Sequence, residues 1–291
     1  VEPQDTPRTT VVVATRDRCA ELGRTLRRLR ALRPRPPVVV VDNDSTDGTT
    51  AYVRSAHPEV RVVRLRRNRG AAARNVGVAL AATPYVAFSD DDSWWADGAL
   101  ETAADAFDTD PRLGLVAAAT LVGPDDRPDP VNALLAAGLD SGPGDLPGPR
   151  VLGFLACAAV VRADAFRAVG GFSDVLEFIG EEALLAQDLA AAGWELCHLP
   201  EVVAHHHPSA TRPPSAWRRR RELRNALLVD LMRRPPGRAA RSAARLARDA
   251  ATAPEARGAL AEALRAAPAA LARRRPLPAG VERDLRRLED A

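Results

Sequence analysis

Four short apolar runs, each stopping abruptly at a polar cluster, constrain the fold of this chain more than any other feature. Residues 10–14 (TVVVA) run into Thr15-Arg16-Asp17-Arg18, and residues 38–41 (VVVV) into Asp42-Asn43-Asp44-Ser45. Residues 60–65 (VRVVRL) run into Arg66-Arg67-Asn68-Arg69-Gly70, and residues 85–89 (YVAFS) into Asp90-Asp91-Asp92. Between them, residues of about 18–32, 47–56, 70–82 and 96–108 read as helices. A strand buried on both faces needs a continuous apolar run, and parallel strands need crossover helices. The pattern therefore predicts an α/β fold with a buried, mostly parallel central sheet flanked by helices. In such a sheet ligands bind outside the carboxyl ends of the strands, so the four polar clusters share one edge.

The rest of the chain narrows the class. Hydrophobic residues make up 46% and charged residues 27% of 291 residues, the balance of a globular protein with one large domain or two small ones. Cys19, Cys157 and Cys197 are too far apart for a CxxC clip, which excludes a disulfide framework or a sequence-local zinc knuckle and fits a reducing compartment. The longest apolar run, residues 151–161, ends at Arg162, short of the roughly 18 residues of a membrane span. Residues 1–5 show no basic-then-apolar leader pattern, so the expectation is a cytoplasmic protein. The dinucleotide fingerprint GxGxxG is missing after the first strand, as is GxxxxGK[ST], which argues against Rossmann dehydrogenases and P-loop enzymes.

Residues 123–150 hold six prolines and five glycines and read as a long surface loop. A second block, about 151–207, has a strand-like run to Val161, a Gly170-Gly171-Phe172 turn, a helix around 180–192 and a closing segment from Trp194 to His207. After Pro213-Pro214 come Arg- and Ala-rich helices that Pro235-Pro236, Pro254, Pro268, Pro276 and Pro278 should break. All 41 basic residues are arginine, and they divide unevenly. Residues 1–210 carry 21 Arg against 29 acids (−8), and residues 211–291 carry 20 Arg against 9 acids (+11). A helix over residues 217–232 would place Leu223, Ala226, Leu227, Leu228 and Leu231 beside Arg218 to Arg221 and Arg224. The opposite charges favour docking of this tail on the body, with peripheral contact at an anionic inner membrane face as the alternative. Nucleic acid is not expected, because Trp217 is the tail's one aromatic.

Four clusters carry chemistry. Asp90-Asp91-Asp92 places adjacent carboxylates at a strand end, where a divalent cation (Mg²⁺ or Mn²⁺) would relieve their repulsion and bridge phosphates. The competing reading makes Asp92 or Ser93 the cap of a helix beginning near Trp95. In residues 42–49, Thr46 or Asp47 reads as a helix cap, whereas Asp42 and Asn43 sit where a nucleoside would lie. Glu181-Glu182 opens a helix, where acids either complement its dipole or take a proton from an attacking hydroxyl. His205-His206-His207 could supply one metal ligand, since consecutive residues cannot all face one ion.

The order of the pieces, Thr15-Arg16-Asp17, then VDNDSTDGT, NRGAAARNVG and FSDDDSWW, resembles the nucleotide-sugar half of glycosyltransferase family 2. RADAFRAVGGFSDVLEFIGEE, AGWELCHLPEVVAHHH and WRRRRELRN look like that family's acceptor half and the Arg-Asn segment that follows it. The resemblance covers about residues 9–230. It implies a GT-A fold with a nucleotide-sugar half over 1–122, an acceptor half over 123–210 and a helical extension over 211–291. It also implies inverting transfer from a nucleotide-diphosphate sugar to a lipid carrier, glycan, peptide or natural product. Asp90 and Asp92 would be the outer members of a DxD signature, with Asp92 on the metal and Asp90 on the ribose or in the metal's shell. Thr15, Arg16, Asp17, Asp42, Asn43, Arg74 and Asp91 would contribute to the nucleotide-sugar site, and His205 would add a metal or diphosphate contact. Glu182 would be the base, with Glu181 next in line. The chain departs from the family's usual Glu-Asp pair at 181–182, from a frequent Arg at Asp188, and from a Gly at Ala156-Cys157. A nucleotidyltransferase would carry a glycine-rich loop after the first strand, where none occurs before Gly23. A non-catalytic glycan- or nucleotide-binding relative is the remaining alternative, kept alive by Glu182 in place of Asp.

Overall fold

The structure, a computed structural model, describes residues 6–139, 146–209 and 213–290. The four predicted strands are β1 (Thr9–Thr15), β2 (Val38–Asp42), β3 (Arg61–Arg64) and β4 (Tyr85–Asp90). The crossovers are α1 (Cys19–Ala31), α2 (Thr49–Ala56) and α3 (Ala73–Leu80), the last preceded by a 3₁₀ turn at Gly70–Ala72. β3, β2, β1 and β4 lie side by side and parallel. Their apolar runs are continuous because alternate residues enter different cores. Val11, Val13 and Val40 pack with Leu22, Leu26 and Leu29 of α1. Val12, Val39 and Val41 pack on the other face with Val78 of α3 and with Phe166 and Phe172. At Gly77 a Cβ would lie 2.3 Å from the Val12 side chain, so α3 can sit this close to β1 only with glycine there.

Beyond β4 come β5 (Ser93–Trp95), α4 (Ala99–Thr109), β6 (Leu113–Val122), β7 (Arg127–Pro128) and α5 (Val131–Ala137). β8 (Ala159–Arg162), α6 (Ala163–Val169), α7 (Glu181–Ala191) and β9 (Glu195–His206) complete the body. The sheet continues from β4 through β8, β6 and β9 to β5; the parallel pairings are those of the first four strands and the β6–β9 pair, and the others are antiparallel. The helix expected near Trp95 starts instead at Ala99, because Ser93–Trp95 pairs with His206–Ala204 of β9. Asp92 and Ser93 are therefore not helix caps. The segment 123–150 is also not all loop: VNALLAA forms α5 between its prolines.

The C-terminal helices are α8 (Ser215–Arg233), α9 (Pro236–Asp249), α10 (Pro254–Ala272) and α11 (Ala279–Asp290). Pro268 lies inside α10 rather than ending it. Leu227, Leu228, Val229 and Met232 of α8 share an apolar cluster with Val175, Leu176 and Leu184 of the body and with Leu246, Ala256, Ala259 and Ala263. Ala226 is exposed, while Arg224, expected on the cationic face, is buried. Ion pairs of Arg233 with Asp188, Arg221 with Glu177, Arg273 with Asp174 and Arg150 with Asp284 cross from tail to body. Among the described residues no helix is long and apolar enough to cross a membrane.

Candidate active site

Strand register builds the first half of the site. Thr15 pairs with Asp42 and Ala14 with Asp90, which brings three polar loops to one edge. Asp17, in the left-handed region at φ 52°, accepts the Thr46 N–H at 2.6 Å, and its own N–H donates to Ser45 Oγ at 3.0 Å. Asp42, 1% exposed, accepts the Ser45 N–H at 2.8 Å and the Thr50 hydroxyl. Asn43 accepts the Arg69 N–H at 2.7 Å and donates to Gly70 O at 3.1 Å. Asp47 accepts N–H groups at the start of both α1 (Cys19, 3.0 Å) and α2 (Thr49, 3.1 Å), a capping role. Arg16 stands exposed, with Asp17 3.6 Å from its Nε.

The aspartate triplet ends β4 at Asp90 and carries Asp91 and Asp92 into the turn before β5. Asp91 turns inward, accepting the Thr15 hydroxyl at 2.9 Å and Arg18 Nη1 at 3.2 Å. Burial, opposed by Arg18 and reinforced by Asp90 and Asp92, pushes its carboxyl up to about 7. Thr15 and Asp91, both expected in the nucleotide-sugar site, bond each other. Asp92 accepts the Ser209 N–H at 3.0 Å and Arg18 Nη1 at 3.3 Å, and its Oδ1 lies 3.4 Å from His206 Nε2. Burial opposes its ionisation, but these contacts outweigh it and hold the carboxyl below the usual range. His205, the residue expected at the metal, pairs through Nδ1 with Asp126 at 2.8 Å and stacks on Trp94. A one-residue step along β9 separates the two histidines, so His206 is the one brought to Asp92.

Arg74 joins the two halves. Its guanidinium forms an ion pair with Asp90, lies 5.7 Å from the Phe172 ring centroid and interacts electrostatically with Glu181 and Glu182. Glu181 is 2% exposed, and its Oε2 has no hydrogen-bond partner among the described residues; nor has the buried Arg74 Nε. Burial, then the neighbouring Glu182, raises the Glu181 carboxyl to about 8, with Arg74 opposing. Glu182 is partly buried and is raised by the same loss of solvent.

The loop that aims these two acids is held from both sides. Asn225 of α8, 1% exposed, donates through Nδ2 to the carbonyls of Leu176 (2.9 Å), Phe178 (2.8 Å) and Ile179 (2.6 Å). Arg224 donates to Val175 O at 3.1 Å. From the other half, the Ala71 N–H donates to Glu177 O at 2.6 Å. At Gly70 a Cβ would fall 2.0 Å from that oxygen, so only glycine allows the approach. Arg18, His206 and Asn225 were not singled out from sequence, although each lies inside a quoted motif.

A carboxylate kept protonated by burial loads the fold against rising pH. Below about 4.5 folded and unfolded chains both hold the Glu181 proton; between there and about 8 only the folded chain does. Stability is therefore lost as pH rises through that window. Glu181→Gln removes the effect, so its melting point relative to wild type is expected to climb by at least about 2 °C between pH 5 and pH 8. Differential scanning calorimetry at the two pH values checks this; a constant difference would show that Glu181 ionises freely in the fold.

Among the described residues no three His, Cys, Asp or Glu side chains are grouped to hold a metal by themselves. Asp92 with His206 offers one carboxylate and one imidazole. That donor pair fits a divalent cation of the Mg²⁺ or Mn²⁺ kind that takes its remaining oxygens from phosphates and water.

The glycosyl transferase family 2 profile matches residues 10–170, and the chain belongs to that family. It is 35% identical over 215 residues to the pre-mycofactocin glycosyltransferase of Mycobacterium tuberculosis, covering 70% of this chain and 43% of that protein. The chain thus spans less than half the length of that relative. It is 28% identical over 242 residues to the same organism's N-acetylglucosaminyl-diphospho-decaprenol L-rhamnosyltransferase, covering 71% and 78% of the two chains. Among solved structures, a Pyrobaculum calidifontis mannosyltransferase in complex with GDP-Man and Mn²⁺ superimposes with a TM-score of 0.58 at 24% identity, covering 94% and 76%. S. aureus TarS 1–349 gives 0.58 at 16% identity, covering 96% and 91%. The fold is GT-A, as the sequence led one to expect.

Proposed function

We propose that this chain is an inverting, metal-dependent glycosyltransferase, with residues 1–122 taking the nucleotide-sugar donor, 123–210 the acceptor, and 211–291 bracing the acceptor half. The observation that carries this reading is a pair of buried atoms without a partner among the described residues, Arg74 Nε and Glu181 Oε2, where the donor edge meets the acidic helix start. Buried polar groups are nearly always bonded, so orphans at such a junction mark where a ligand belongs. Asp17, Asp42 and Asn43 would face the nucleoside and Asp90 the ribose, with Arg74 holding Asp90 in place. Asp92 and His206 would hold the cation, which when bound neutralises the departing diphosphate. Glu182, the less enclosed of the two acids, would take the acceptor hydroxyl proton. The freed oxygen lone pair attacks the anomeric carbon, and the bond to the diphosphate breaks with its electrons leaving on the diphosphate. Glu181 would hold Arg74 and tune Glu182.

Solved relatives are known in complex with GDP-Man and Mn²⁺ and, for S. aureus TarS 1–349, with UDP-GlcNAc, which makes these two sugar nucleotides the first donors to try. A thermal-shift screen of UDP and GDP with and without Mn²⁺ tests the reading, because a ligand of the native state raises the melting point. We expect one of them to stabilise the chain only with the metal. No response to either would remove the donor assignment.

A further inference from the structure

Phe178 is 46% exposed and Trp217 37% exposed, and both stand beside the acidic helix start. Their ring centroids are 6.1 Å apart. The Arg221 guanidinium lies 5.4 Å from the Trp217 ring centroid and 3.0 Å from the Glu177 carboxylate. Arg218, one turn before Arg221 on the same side of α8, is exposed and makes no ion pair among the described residues.

The backbone under Phe178 is strained and immobilised. Glu177 (φ 63°), Ile179 (φ 71°) and Gly180 (φ 87°) are all left-handed, which is costly for a β-branched residue such as Ile179. Four carbonyls of this loop are bonded by Ala71 and Asn225. Strain of this kind persists where the surroundings impose it, and it concentrates at ligand sites. Here it underlies a partly exposed aromatic ring four residues before Glu182.

We propose that Phe178 and Trp217, with Arg218 and Arg221, form the acceptor subsite, and that the acceptor is a saccharide carrying phosphate. This rests on the glycosyl-transfer reading above. The apolar face of a sugar ring stacks on aromatic rings, which bury large area at little entropic cost. An arginine fork matches phosphate oxygens. A ring seated on the pair and a phosphate held at Arg218 would turn a hydroxyl toward Glu182.

Calorimetric titration of the full chain, with its donor site filled by the stabilising nucleoside diphosphate and Mn²⁺, tests the proposal with three probes. They are N-acetylglucosamine 1-phosphate, farnesyl-diphospho-N-acetylglucosamine and the uncharged methyl N-acetylglucosaminide. Both phosphorylated probes are expected to bind at least tenfold tighter than the methyl glycoside. Trp217→Ala should weaken all three at least fivefold, with rescue by Trp217→Phe. Arg218→Gln should weaken only the phosphorylated pair and flatten their salt dependence. Equal affinity for the two phosphorylated probes would point to a free sugar phosphate as the natural source, and a tenfold advantage of the farnesyl probe to a lipid-linked one. Wild-type affinity in Trp217→Ala and Arg218→Gln, or no preference for phosphate, overturns the subsite while leaving glycosyl transfer standing. Failure of wild type to bind any nucleoside diphosphate overturns the underlying reading instead.

Discussion

Glu182→Gln is expected to lose transfer by about 10²-fold or more while binding donor like wild type, the usual cost of removing a general base. The amide keeps the size of the side chain but cannot accept the acceptor's proton. Burial raises the Glu182 carboxyl, so it is the better proton acceptor the further pH climbs toward that raised value. Wild-type turnover should accordingly rise with pH along a limb displaced above the ordinary carboxylate range, and Glu182→Gln should erase that limb. The neighbouring Glu181 provides the control. It is nearly fully enclosed, so Glu181→Gln should change stability with pH and disturb turnover less. A crippled Glu181→Gln beside a near-normal Glu182→Gln would exchange the two assignments. Steady-state rates of donor consumption at several pH values decide it.

Asp92→Asn is expected to cut transfer by at least about 10²-fold, the scale on which stabilisation of a developing anion acts. The amide oxygen can still accept the Ser209 N–H, so the loop that now bonds Asp92 at 3.0 Å need not unfold. What is lost is the charge that pairs with the cation. Circular dichroism melting within a few degrees of wild type, with the Mn²⁺-dependent stabilisation by nucleotide gone, is the expected result. Unchanged turnover would remove Asp92 from the metal.

The donor edge was legible in the sequence because its signal is local. A run such as VVVV followed by Asp42-Asn43 is strand and strand end at once, and βαβ order then sets the edge. What escaped depends on pairing between distant segments. Ser93–Trp95 has no period of its own and becomes a strand only by lying against His206–Ala204. The choice of His206 over His205 turns on the register of that same pairing, where one residue exchanges the two faces. That Thr15 and Asp91 bond each other depends on the pairing of β1 with β4, which their positions at two strand ends do not reveal. α5 was hidden by its prolines and glycines, which cluster at its ends rather than within VNALLAA. Arg224 read as part of a cationic helix face and Asn225 only as the end of the WRRRRELRN motif; the carbonyls of the 175–180 loop explain the burial of both.

The most direct test of the central claim is the stereochemistry of donor turnover. GDP-mannose and UDP-N-acetylglucosamine are incubated with the chain and Mn²⁺, and the sugar released to water is followed by proton NMR before its anomers equilibrate. The account predicts that one of these α-linked donors yields the β-anomer first, with release stopped by chelator and by Asp92→Asn. Release of the α-anomer first, turnover indifferent to chelator, or no turnover of either donor would contradict it.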